Sequence, residues 1–119
     1  MSRETAIALA QDYLQSGRFE DDLARRVAIP TESQVPDGLP HTRTYLETEM
    51  IPAFEGMGFT CRMFENPIDG VGPVLLAERA EDAELTVLGY GHGDVIRGQA
   101  DQWTKGAGPW ETARDGDTL

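Results

Sequence analysis

Cysteine is almost absent from this chain: Cys61 is the only one in 119 residues. An internal disulfide is excluded, as is every zinc site built from several thiolates, and the count fits a reducing compartment. Histidine is nearly as scarce, with His41 and His92 alone. Basic residues are also few, ten against 21 acidic ones, for a net charge of −11. A nucleic-acid backbone or an anionic membrane surface repels such a chain, so neither is expected as a partner. No apolar run approaches the roughly 18 residues of a membrane span, and no basic-then-apolar signal opens the chain. The expected location is therefore cytoplasmic. Solubility is the plain meaning of the acidity; service to divalent cations is a lesser one.

What the chain does contain is ordinary for a globular protein, 39% hydrophobic and 26% charged residues. Its length suits one domain at most. Ser2 is placed to cap a helix carrying Ala6, Leu9, Ala10, Tyr13 and Leu14 at helical spacing, with Gly17 as its stop. A second helix is expected from Phe19, with Glu20, Asp21 and Asp22 at its positive end and Pro30 beyond it. Residues 29–41 read as a loop. A third helix is expected from Thr42, with Tyr45, Leu46, Met50, Phe54 and Met57 along one side and Pro52 kinking or dividing it.

Strand signals follow. Residues 59–65 alternate, placing Cys61 on a face with Phe59 and Met63 as a small buried apolar residue. Residues 73–79 hold a short apolar run, and the turn-rich 66–70 segment can join the two as a hairpin. Residues 85–90 are apolar at nearly every position, the mark of a strand covered on both faces. Helices followed by such a sheet indicate an α/β layer. From Gly91 onward the pattern dissolves, leaving Trp103 and Trp110 isolated among polar and glycine-rich residues. A loop of this length has a function or awaits a partner.

The informative stretch is Tyr90-Gly91-His92-Gly93-Asp94-Val95, directly after the third strand. Catalytic groups in open α/β sheets gather at the carboxyl ends of strands. Residues i and i+2 of an extended backbone share a face about 6.5–7 Å apart. Asp94 can therefore reach one ring nitrogen of His92 while the other binds a metal, with Gly91 and Gly93 allowing close backbone approach. On the tripeptide alone, a structural or surface histidine is the commoner outcome. One histidine and one aspartate also fall short of the three or four protein ligands zinc takes. His41, Glu47, Glu49 and the cluster Glu78, Glu81, Asp82 and Glu84 read as solvated residues.

The run from Leu85 through His92 and Asp94 to Trp103, Pro109-Trp110-Glu111 and Asp115-Gly116-Asp117-Thr118-Leu119 resembles one family in order and spacing. It is the di-zinc metallopeptidase family of acetylornithine deacetylase, succinyl-diaminopimelate desuccinylase, aminoacylase, glutamate carboxypeptidase and the carnosinase-type dipeptidases. Upstream, Ile29-Pro30-Thr31-Glu32-Ser33 and the helix before Phe59 resemble the same family. The resemblance implies the N-terminal portion of a three-layer α/β/α catalytic domain, residues 1–119, with a mostly parallel central sheet. It implies His92 as a ligand of one of two zinc ions, for which cobalt can substitute. Asp94 becomes the active-site aspartate that clamps that histidine, and Trp103 a residue beside the cleft mouth. The implied activity is hydrolysis of an amide bond in a small acylated amino acid or short peptide, by metal-activated water. A homodimer of the full-length protein would be compatible with it. The family's pattern continues past Asp-Gly-x-Leu with the bridging aspartate, the catalytic glutamate and the remaining ligands; this sequence carries none of them, so the chain alone is expected to be inactive. A non-catalytic acidic α/β module that binds a partner is the alternative.

Overall fold

Ser2 stands in extended conformation, and its hydroxyl accepts the Thr5 amide at 3.2 Å in a computed structural model that describes residues 1–119. That bond satisfies one of the free N–H groups at the start of helix α1, Arg3–Gln15. Gly17 turns the chain at φ +81°, a left-handed conformation that glycine adopts without steric cost, and α2 follows over Arg18–Val27. Glu20 and Asp21 occupy the first turn of α2, and Arg25 and Arg26 the last, each matching the helix dipole. The two helices meet through Tyr13, whose ring lies edge-on to Phe19 with centroids 6.0 Å apart. Its hydroxyl donates to Asp22 at 2.6 Å, which holds the Asp22 carboxyl below its usual range and pushes the Tyr13 phenol up. Together with Gln99–Leu119, the segment Met1–Ala28 forms one compact unit.

The second unit is Ile29–Gly98. A single turn at Pro36–Gly38 leads into α3, Leu39–Tyr45, which starts three residues earlier than the apolar spacing indicates. The helical path then widens into a π turn at Leu46–Met50 before α4, Ile51–Gly56. Pro52 explains the interruption: it lacks an N–H for the Thr48 carbonyl, and its ring crowds that turn. Phe54 on α4 packs edge-on against Phe59 at 5.4 Å, setting α4 beside the first strand. Strands β1, Thr60–Phe64, and β2, Val74–Glu78, pair antiparallel as the hairpin the sequence predicts. Asn66 accepts the Ile68 amide at 3.0 Å in the connecting loop. Cys61 lies opposite Ala77, and Met63 opposite Leu75, all four half-buried on one face. Partial burial, with a smaller contribution from Glu55, pushes the Cys61 thiol up, away from the reactive thiolate.

The architecture is thus mixed α/β, with a two-stranded antiparallel sheet as its only sheet. The third strand predicted at residues 85–90 does not form. That segment has no ladder partner, and Leu85, Val87, Leu88 and Tyr90 are 85–93% exposed. An apolar segment of this kind becomes a strand only between neighbours that supply its hydrogen bonds and cover both faces, and no part of the chain does so. The one parallel contact is an isolated bridge between Glu32 and Val95. No apolar side chain is fully buried, and no helix is long and apolar enough to cross a membrane.

Candidate functional site

Proline sets the first wall of the site. Pro30 ends the helical region, and two tight turns follow it, with the Thr31 amide bonded to the Ile29 carbonyl and the Glu32 amide to the Pro30 carbonyl, both at 2.8 Å. The strap made by Thr31, Glu32 and Ser33 then runs beside residues 93–95. The Val95 amide donates to the Thr31 carbonyl at 2.9 Å, and the Ser33 amide to the Val95 carbonyl at 3.1 Å. Thr31 is the one buried polar residue of the chain, 4% exposed, and its hydroxyl donates to the Gly93 carbonyl at 2.6 Å. Glu32 accepts the Gly98 amide at 2.6 Å, closing the far end of the strap.

Two glycines make this arrangement sterically feasible. Gly38 lies so close behind the strap that a Cβ there would collide with the Glu32 carbonyl. Gly93 lies against the Tyr45 ring, and a Cβ would overlap it. The sequence alone suggests that Gly91 and Gly93 bring backbone close to a metal; the structure gives Gly93 a different task, admitting Tyr45, and leaves Gly91 in open space.

On this frame His92 and Asp94 come together as their spacing predicts. His92 Nδ1 lies 3.2 Å from Asp94 Oδ1 and 3.2 Å from the Asp94 backbone oxygen. The backbone oxygen can only accept, so that hydrogen bond places a proton on Nδ1. In the neutral ring that leaves the Nε2 lone pair for another partner. The second oxygen of Asp94 is also engaged, accepting from the Ser33 hydroxyl at 2.7 Å. Ser33, Asp94 and His92 therefore form a linear chain of contacts. Both members of the His92–Asp94 pair are open to solvent, with side chains 67% and 44% exposed.

A single imidazole nitrogen is one metal ligand, and the chain holds no group of three or more histidine, cysteine, aspartate or glutamate residues placed to share an ion. One imidazole and one carboxylate are fewer than the three or four protein ligands a zinc ion takes. Trp103 belongs to the first unit, where it follows the turn at Ala100–Gln102 and is 53% exposed. The acidic residues at the end of β2 and beyond it are solvated, with Glu78 bound to Arg62 at 2.8 Å and Glu81 to Arg79 at 2.5 Å. His41 is exposed on α3.

Thr31 and Ser33 escape a reading of the sequence as parts of the site. Their partners lie 62 and 61 residues away, beyond any local periodicity. The only local signal is a pair of hydroxyls two apart just after a proline, which puts both on one side of an extended segment. No family model, curated protein or solved structure matches this chain.

Proposed function

We propose that this chain is part of a zinc-dependent amide hydrolase, a peptidase or deacylase of small acylated amino acids or short peptides, and supplies one zinc ligand to it. The observation that carries the reading is the His92–Asp94 pair, with Nδ1 hydrogen-bonded to the Asp94 backbone oxygen, the Asp94 carboxylate 3.2 Å from the same nitrogen, and Nε2 left available. A histidine held in this way has a set tautomer and ring orientation. The resemblance described from the sequence assigns the same two residues the same two roles. Zinc, when bound, would polarise the scissile carbonyl and activate a water molecule. The part of this chain in that chemistry is to present Nε2, with Asp94 orienting the ring. Trp103 is proposed as a wall of the substrate cleft.

In the parent enzyme the fold would be a three-layer α/β/α domain with a mostly parallel sheet, of which residues 85–90 form a central strand. Two observations support this. The segment is apolar on both sides and uncovered here, and the Glu32–Val95 bridge just beyond it is parallel.

The test is zinc affinity by calorimetry, with an amidase assay on N-acyl amino acids. The chain should bind zinc weakly and show negligible turnover. His92→Ala should abolish the binding, and Asp94→Ala should weaken it by about 10- to 100-fold, the usual cost of losing an orienting partner. Tight binding with turnover that survives His92→Ala would overturn the proposal.

A further inference from the structure

We draw no further inference here: the strongest candidate, the exposed apolar segment at residues 85–90 between β2 and the His92–Asp94 loop, carries nothing because no contact in the structure shows what covers it.

Discussion

Gly93 shows how one residue can decide whether the site exists. The His92–Asp94 pair is local in sequence, yet its geometry depends on backbone that is wedged between Thr31 and the Tyr45 ring. A methyl group at position 93 has to displace Tyr45 or lift the loop from the strap. Overpacking of this kind costs about 1–3 kcal/mol. Gly93→Ala should therefore accelerate hydrogen exchange of the Val95 amide, which is bonded to Thr31, by about tenfold to a hundredfold. Gly91→Ala, at a position with nothing within 4 Å, should leave that rate unchanged. Equal effects from the two substitutions would mean that the Tyr45 contact does not hold the loop.

At the level of elements, what could be read from the sequence was whatever depends on near neighbours. The Ser2 cap, the stop at Gly17, the disruption before Pro52 and the β1–β2 hairpin all arise from residues a few positions apart. The pair His92 and Asp94 was legible for the same reason. What required distant partners was not: the strap at residues 31–33 is invisible without its contacts some sixty residues away. Residues 85–90 fail in the opposite direction. Their composition specifies a strand covered on both faces, and the chain provides no such cover. Their amides should accordingly exchange at nearly unprotected rates, while the paired amides of β1 and β2 are slowed. Protection of residues 86–90 comparable to that of the hairpin would show that the segment finds a partner in solution, and would call for a different account of its exposure.

Across the whole molecule, the surface left open is large. The chain exposes 9415 Å², where a folded monomer of 13.1 kDa exposes about 6,400 Å². Nothing in it amounts to an apolar core, since every large hydrophobic side chain keeps some exposure. Its net charge of −11 adds a second consideration. An acidic surface attracts divalent cations everywhere, so an affinity by itself says little about where an ion is held. Location is the discriminating quantity. The most direct test is therefore titration with cobalt(II), a paramagnetic substitute for zinc, followed by the broadening of assigned resonances in the 119-residue chain. Broadening centred on the His92 ring and residues 91–95, with His41 spared and the effect lost in His92→Ala, is the predicted result. Broadening centred on Glu78, Glu81, Asp82 and Glu84, with His92 untouched, would contradict it and favour a non-catalytic acidic module.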